Sequence, residues 1–299
     1  MFYLLLAILC SSTIAIVFKI SENNNMNRLV VTIVNYFIAF FICLFFIVGD
    51  NLCFNLEFSP NFWQILSNNE QLLNGDSFIW AVIIGIPAGV FFFLGFIYYQ
   101  KSVRENGVGL AGTFSKLGIL IPIIASLILW HEYPSLLQWI GIIMALTAII
   151  LVNFPFNKNL KKALNITLIL LFIFGGIASF SNKLFQKYAL QEYKVVFLFA
   201  VFFTAFIISL IFFLKKPGEI KAKEIYAGIA VGIPNLFTSF FLINALDALT
   251  TAVVFPIFSA GGIVVINLAG YLVFKEKLNK REFGAIVITV LALILINVK

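Results

Sequence analysis

Charged residues are scarce in this sequence. Only 11% of the 299 residues are Asp, Glu, Lys or Arg, whereas soluble globular domains carry about a quarter. Apolar residues make up 62% of the chain, and its mean hydropathy is +1.06. A soluble fold cannot bury so much apolar surface, so the composition predicts an integral membrane protein.

Residues that bind metals or form disulfides are also few. The single histidine and the three cysteines, Cys10, Cys43 and Cys53, show no metal-ligand spacing and no paired framework. No glycine-rich phosphate loop stands at a strand-to-helix junction. The net charge of +7 is spread over loops, which suits membrane lipid better than nucleic acid. We therefore predict no metal, no cofactor, no catalytic residue and no nucleic-acid partner.

Long apolar runs are abundant. A helix needs about 20 predominantly apolar residues to cross a hydrocarbon core of roughly 30 Å. Ten such runs predict an all-α membrane protein with ten transmembrane helices: Phe2–Ile20, Leu29–Val48, Phe78–Tyr99, Gly107–Trp130, Leu136–Phe154, Ile166–Phe185, Val195–Leu214, Ile225–Leu246, Thr250–Phe274 and Phe283–Val298.

The two halves of the sequence resemble each other. The stretch "IGIPAGVFFFLGF" from Ile84 matches "VGIPNLFTSFFLI" from Val231, and "FSKLGI" from Phe114 matches "FSAGGI" from Phe258. The last helix of each half also aligns, as "WHEYPSLLQWIGIIMALTAIILVN" with "FKEKLNKREFGAIVITVLALILIN". Such self-similarity predicts two repeats of five helices each.

The repeats are predicted to cover residues 1–155 and 164–299 and to be inverted. An odd number of spans per repeat places the second copy upside down, so equivalent loops lie on opposite sides and differ in Lys and Arg content. Three of four loop pairs differ in this way. Residues 51–76 contain neither Lys nor Arg, whereas the equivalent loop contains Lys215, Lys216, Lys221 and Lys223. The same rule places the lysine-rich loops in the cytoplasm and both termini outside.

Each half ends with a short acidic connection, "WHEYPSLLQWIG" or "FKEKLNKREFG", that leads into a final helix. These connections contain Glu132 and Glu276, followed by Gly141 and Gly284. With ten spans in two halves, this arrangement resembles the drug/metabolite transporter superfamily, in particular its EamA-type branch, over nearly the whole chain.

Two further positions bear on the resemblance. Lys19 and Lys183, late in the first helix of each half, match a position where such proteins often have lysine. The Trp-Gly pair common in the first helix of relatives is replaced by Ser11 and Ser12, which weakens any transfer of a substrate. The resemblance implies a multi-pass cell-membrane carrier that works by alternating access around a central cavity. It also implies cytoplasmic termini, against the charge count.

Lys116 is the one charged residue between Ala111 and Trp130. Polar groups inside a span are costly unless they face a cavity or a partner. All thirteen acidic residues fall in loops or at helix ends, so no carboxylate is available at mid-depth. We interpret Lys116 as a group that binds a substrate carboxylate or phosphate, or that titrates. Snorkelling along a tilted helix and a structural contact are the alternatives.

Other polar side chains within the predicted spans complete the substrate-binding set: Thr113, Ser115, Asn235, Ser239 and Ser259. In the second repeat Ser259 matches Ser115, whereas Ala260 stands where Lys116 does. Helix packing beside Pro234 is the alternative for Asn235 and Ser239. Interhelical hydrogen bonding is the default for the remaining intramembrane asparagines, Asn35, Asn182, Asn244 and Asn267.

The sequence thus favours a secondary-active transporter of a small polar metabolite, anionic or zwitterionic, such as an amino acid or organic acid, with a coupling proton or an exchange substrate. A quaternary ammonium or drug is the alternative cargo, held by aromatic rings. Against a proton-coupled drug extruder, the sequence shows no buried carboxylate to exchange protons for drug. A membrane-embedded enzyme and an accessory subunit are the alternatives from other classes.

Overall fold

The computed structural model describes residues 1–24, 26–49, 57–59, 61–106, 108–153, 166–215, 217–273 and 280–297. Within these ranges the regular structure is helical, without a strand. The helices are α1 (Phe2–Asn23), α2 (Arg28–Gly49), α3 (Phe62–Ser67), α4 (Asn74–Asn106), α5 (Val108–Leu117), α6 (Leu120–Trp130), α7 (Leu136–Asn153), α8 (Ile166–Tyr188), α9 (Lys194–Lys215), α10 (Ala222–Ala248), α11 (Thr251–Val273) and α12 (Lys280–Asn297), and a 3-10 turn spans Gln191–Tyr193. The predicted all-α class is confirmed.

Five of the described helices are long and apolar enough to cross a membrane. They are α2, α4, α8, α9 together with the 3-10 turn before it, and α10. Shorter apolar stretches lie in α1, across α5 and α6, and in α7, α11 and α12. Every predicted span thus contains helical residues of the described ranges, while the count of ten spans stays a prediction.

The predicted fourth span, Gly107–Trp130, is not one helix. It is divided at Gly118 into α5 and α6. Pro122 contributes to the division, because it has no N–H to donate to the carbonyl of Gly118 four residues earlier. That carbonyl accepts instead from the N–H of Ile121 over 3.1 Å, the tighter spacing of a 3-10 turn. Lys116 therefore lies in the last turn of a short helix.

The chain forms two compact units. The first contains residues 1–12, 94–180 and 248–299, and the second contains residues 13–93 and 181–247. Each unit draws on both halves of the sequence, and α1, α4 and α8 each contribute to both. The repeats at 1–155 and 164–299 are therefore not the compact units, and their boundaries stay a prediction.

In the first unit, α7 and α12 pack side by side in opposite directions. Near the start of α7, Gln138 Nε2 donates to the carbonyl of Ile296, at the end of α12, over 3.5 Å. At the other end, a β-carbon built on Gly284 would lie 4.0 Å from Cδ2 of Leu151. Gly141 permits the close approach, since a β-carbon there would lie 3.1 Å from the backbone nitrogen of Ile296. The last helices of the two predicted repeats are thus antiparallel neighbours.

In the second unit, α2 and α9 are also antiparallel and join through phenylalanine rings. The ring centroids of Phe37 and Phe206 are 5.7 Å apart, and those of Phe40 and Phe199 are 6.1 Å apart. A residue later in α2 therefore contacts a residue earlier in α9, so the two helices run in opposite directions. Such offset and tilted ring pairs add roughly 0.5–1.5 kcal/mol each beyond the area they bury in soluble proteins.

Glycines set the closest helix contacts of the second unit. A β-carbon at Gly232 on α10 would lie 2.7 Å from the carbonyl oxygen of Asn35 on α2, and Gly228, one turn earlier, faces α2 as well. On α4, a β-carbon at Gly85 would lie 2.9 Å from the carbonyl oxygen of Phe197 on α9. Small residues at this spacing let helix backbones touch, which is how membrane helices gain packing energy.

Candidate functional site

Lys116, in the last turn of α5, lies against α11. Its Nζ is 5.4 Å from the centroid of the Phe258 ring. The same atom would lie 3.4 Å from a β-carbon at position 262, where the chain has glycine. An ammonium over an aromatic face is stabilised by roughly 0.5–1 kcal/mol when exposed and about 2 kcal/mol when desolvated. Phe258 and Gly262, one helical turn apart on α11, therefore form the near surroundings of the partly buried lysine.

The ammonium of Lys116 is not neutralised by a carboxylate. Among the described residues it forms neither an ion pair nor a hydrogen bond. The position of Lys116 in the last turn of α5 still stabilises the ammonium. The last carbonyls of a helix carry partial negative charge, and their interaction with a nearby cation is favourable by roughly 0.3–1 kcal/mol. The dipole and the Phe258 ring stabilise the charge but leave the three N–H donors without acceptors. These donors suit an anionic ligand.

The other predicted binding residues of the first unit differ in accessibility. Ser259, next to Phe258 on α11, is 1% exposed, and its hydroxyl has no hydrogen-bond partner among the described residues. Ser115 is partly buried beside Lys116. The side chain of Thr113 lies outside the described residues, so its predicted role stays a prediction.

Asn235 and Ser239 belong to the second unit. Asn235 Nδ2 donates to Oδ1 of Asn35 over 3.0 Å, and Ser239, one turn later on α10, is buried. The expected interhelical hydrogen bond of Asn35 is confirmed. The Oδ1 of Asn182 is buried without a partner among the described residues, so that expectation is wrong for this atom. The side chain of Asn267 lies outside the described residues.

The alanine that replaces Lys116 in the second repeat has a packing role. Ala260 is fully buried and packs with Ala145 and Ala292, so small side chains from α11, α7 and α12 meet there. A lysine at position 260 would place a charge in an apolar cluster, at a cost of several kcal/mol. The two matching sequence positions therefore have different environments, and only position 116 accommodates an ammonium.

Two buried carboxylates were missed, so the prediction that the chain lacks one is wrong. Asp76 in the first turn of α4 and Glu224 in the first turn of α10 are each 2% exposed. Their positions at helix ends agree with the prediction, but helix ends here are not always solvated. Among the described residues no group of three His, Cys, Asp or Glu side chains is placed to hold a metal ion.

The comparisons with known proteins identify the family. Residues 1–154, just over half of the chain, match the EamA-like transporter family. The chain belongs to this family. It is therefore a multi-pass membrane protein and a transporter of small molecules, as the family's members are transporters rather than enzymes. The resemblance seen in the sequence is confirmed.

Two similar proteins extend over nearly the whole EamA-like chain. An uncharacterized protein of Haemophilus influenzae is 25% identical over 294 residues, which are 97% of this chain and 95% of the relative. A protein of known crystal structure superposes with a TM-score of 0.71 at 14% identity, covering 99% of this chain and 95% of that one. The second likeness shows that the fold is shared along the full length.

The acidic connection of this EamA-like transporter caps a helix. His131 ends α6 in the left-handed conformation, with φ of 53°, and the next N–H, of Glu132, donates to the carbonyl of Ser126. This turn directs Glu132 Oε2 to the backbone N–H of Thr251, 3.3 Å away, at the start of α11. A carboxylate there satisfies an unpaired donor and complements the helix dipole. Glu132 thus helps to position the helix that carries Phe258; the equivalent residue, Glu276, lies outside the described residues.

Proposed function

We propose that this EamA-like transporter is a secondary-active carrier of a small anionic or zwitterionic metabolite, such as an amino acid or organic acid, in the cell membrane. The observation that carries the proposal is the ammonium of Lys116, which has no carboxylate partner among the described residues. A charge within a membrane helix normally has a partner. A bound substrate carboxylate supplies that partner. After the substrate is released, only the Phe258 ring and the dipole of α5 stabilise the Lys116 ammonium.

Hydroxyl groups near Lys116 give the proposed site its neutral hydrogen-bonding capacity. The unpartnered hydroxyl of Ser259 follows Phe258 directly, and Ser115 precedes Lys116. We include Thr113 on the sequence pattern alone. Asn235 and Ser239 stay in the proposal as polar groups of α10, although the Asn35 bond occupies one donor of Asn235.

Alternating access in this proposal rests on ten spans in two inverted five-helix repeats. The antiparallel contacts of α7 with α12 and of α2 with α9 support it, because α7 and α12 contain the fifth span of each predicted repeat and α2 and α9 contain the second. Helices related by inversion run in opposite directions. Exchange between two such arrangements would expose a site to one side and then the other, with a coupling proton or an exchange substrate.

A quaternary ammonium as cargo is less well supported at this position. The Phe258 ring, which would hold such a cation, already faces the Lys116 ammonium at 5.4 Å. A second cation there would meet like-charge repulsion of about 1 kcal/mol in water at 4 Å and more in a drier environment. The anionic or zwitterionic cargo therefore remains the better proposal.

The test compares two lysine variants of the purified protein. Lys116→Gln removes the charge at the proposed site, whereas Lys101→Gln removes an exposed lysine of α4. A library of amino acids, organic acids, sugar phosphates and quaternary ammoniums would be screened for thermal stabilisation in detergent, and the ligands found would be tested for counterflow in liposomes. We expect the ligands to carry a carboxylate or phosphate and their binding to weaken at least tenfold in Lys116→Gln only. Equal affinity in both variants would remove Lys116 from substrate binding.

A further inference from the structure

The segment between α2 and α4 contains a short amphipathic helix, α3. Phe62, Ile65 and Leu66 lie on one face of α3 by their spacing and are partly buried, whereas Gln64 lies opposite and is exposed. Trp63 borders the apolar face, three residues before Leu66, yet it is 76% exposed. The protein therefore leaves most of this large indole ring uncovered.

A row of aromatic rings joins α3 to two of the long apolar helices. The rings of Trp63 and Phe62 meet edge to face with centroids 5.3 Å apart, and the ring of Phe62 lies 6.3 Å from that of Trp80, near the start of α4. The Trp80 ring lies 5.6 Å from the ring of Tyr188, the last residue of α8. Nε1 of Trp80 also donates to the carbonyl of Leu184 on α8 over 3.4 Å. The row thus places α3 beside the start of α4 and the end of α8.

Hydrogen bonds hold the backbone on both sides of α3. Before the helix, the N–H of Ser59 donates to Oδ2 of Asp76 on α4 over 3.1 Å. After it, Oδ1 of Asn69 accepts from the hydroxyl of Tyr188 over 2.7 Å, and the N–H of Leu72 donates to the carbonyl of Tyr188 over 2.8 Å. Trp and Tyr at the ends of membrane spans lie at the level of the lipid headgroups. The rings and hydrogen bonds therefore fix α3 at that level.

We propose that α3 lies in the plane of the membrane interface and inserts Trp63 among the headgroups of zwitterionic phospholipids. The exposed indole is close to a surface that lipid already covers, because Ile79 and Ile83, on either side of Trp80 in α4, are 38% and 47% exposed on a helix long and apolar enough to span. An indole has an apolar body and one N–H donor, so it suits an environment that is apolar on one side and wet on the other.

The charges of the segment select the lipid class. Residues 51–76 contain neither Lys nor Arg, and Glu57 and Glu70 are exposed. Anionic lipids attract basic segments by about 1 kcal/mol for each Lys or Arg near the surface. This segment has no such attraction, and its two glutamates repel an anionic headgroup. Burial of apolar area, at roughly 25 cal/mol per Å², drives the contact instead, and a headgroup without net charge, such as phosphatidylcholine or phosphatidylethanolamine, is the partner.

The experiment measures tryptophan fluorescence of the purified full chain in phosphatidylcholine nanodiscs. The chain has four tryptophans, so the emission of Trp63 is obtained by subtracting the spectrum of Trp63→Phe from that of the unchanged protein. Trp63→Tyr provides a second, independent subtraction. Both variants keep an aromatic ring at an exposed position, so both should fold, which thermal unfolding checks.

We expect the Trp63 emission to be shifted to shorter wavelength than that of an indole in water. It should lose intensity with phosphatidylcholine brominated on its acyl chains close to the headgroup, and lose less with acrylamide in the aqueous phase. Trp139→Phe supplies the control, because Trp139 is 39% exposed in the predicted fifth span. The emission obtained by that subtraction should be quenched by the same brominated lipid.

Three results would overturn the proposal. Quenching of Trp63 by acrylamide and not by brominated lipid would mean that α3 is solvated. Quenching by neither would mean that protein covers the ring, for example a second copy of this chain. Quenching by brominated lipid only after phosphatidylglycerol is added would mean that an anionic headgroup is the partner. No substrate is present in these measurements, so they succeed or fail independently of the anion test on Lys116.

Discussion

Asn235 on α10 donates a hydrogen bond from Nδ2 to Oδ1 of Asn35 on α2, 3.0 Å away. Gly232, one turn earlier, brings the two backbones close enough for the short amide side chains to meet. We predict that Asn35→Ala and Asn235→Ala each destabilise the protein by roughly 0.6 kcal/mol, and by at most about 1.7 kcal/mol, the range found for interhelical hydrogen bonds in membranes. The double variant should lose less than the sum, because the second substitution removes a bond that is already broken.

Asn244 supplies the control for this cycle. Asn244 lies on α10, as Asn235 does, and it is partly buried. It makes no hydrogen bond among the described residues. Asn35→Ala and Asn244→Ala should therefore be additive in thermal unfolding in detergent. Additivity of Asn35→Ala with Asn235→Ala as well would mean that the observed bond contributes nothing to stability.

Neighbouring glycines in α8 should respond in opposite ways to alanine. A β-carbon at Gly176 would lie 2.7 Å from the carbonyl oxygen of Gly118, whereas one at Gly175 would have no atom within 4 Å. We predict that Gly176→Ala destabilises the protein by about 1–3 kcal/mol through overpacking. Gly175→Ala should be neutral or stabilising by up to about 1 kcal/mol, because alanine is the better helix former. Thermal unfolding of the two variants, measured side by side, tests this; equal effects would contradict the close contact at Gly176.

Much of the architecture is predictable from sequence, because a membrane helix can be recognised as a long run of apolar residues. The ends of α2, α7 and α9 agree with the predicted spans to within one residue. The fourth span departs because a hydropathy profile does not register backbone donors. The run from Gly107 to Trp130 is mostly apolar, and it divides at Gly118, where Pro122 has no N–H to donate to the Gly118 carbonyl. That signal is local, and the sequence contains it.

The surroundings of the candidate site are less predictable, because they depend on which helices meet. Lys116 stands out in the sequence, but nothing in its own helix indicates that Phe258 covers it. Glu224 reads as a solvated helix end, and its burial arises from the α1–α2 turn nearly two hundred residues earlier. The Asn35 partner of Asn235 is equally distant. A single sequence contains no record of such long-range pairings.

The cap formed by Glu132 gives a local prediction. Glu132→Ala should leave the N–H of Thr251 unpaired at the start of α11 and cost about 0.5–2 kcal/mol, the usual range for loss of a helix cap. Glu132→Gln keeps an acceptor and should cost less. Hydrogen exchange at the first amides of α11 should accelerate in Glu132→Ala relative to Glu219→Gln, which alters only an exposed pair. Unchanged exchange in all variants would show that the carboxylate does not cap the helix.

Gly262 should control access to the Lys116 ammonium. A β-carbon there would lie 3.4 Å from Nζ, an ordinary contact with the mobile end of a long side chain, so Gly262→Ala should fold normally. The branched side chain of Gly262→Val fills the space beside Nζ, and we expect it to weaken anion binding at least tenfold, or about 1.4 kcal/mol. Glutamate, succinate and phosphate would serve as probes in thermal-shift titrations, with Gly175→Ala as the control glycine. In the contrary outcome, one of these anions stabilises the native protein and stabilises Gly262→Val as strongly as Gly175→Ala. That result would show that the anion does not approach Lys116 from the side of α11.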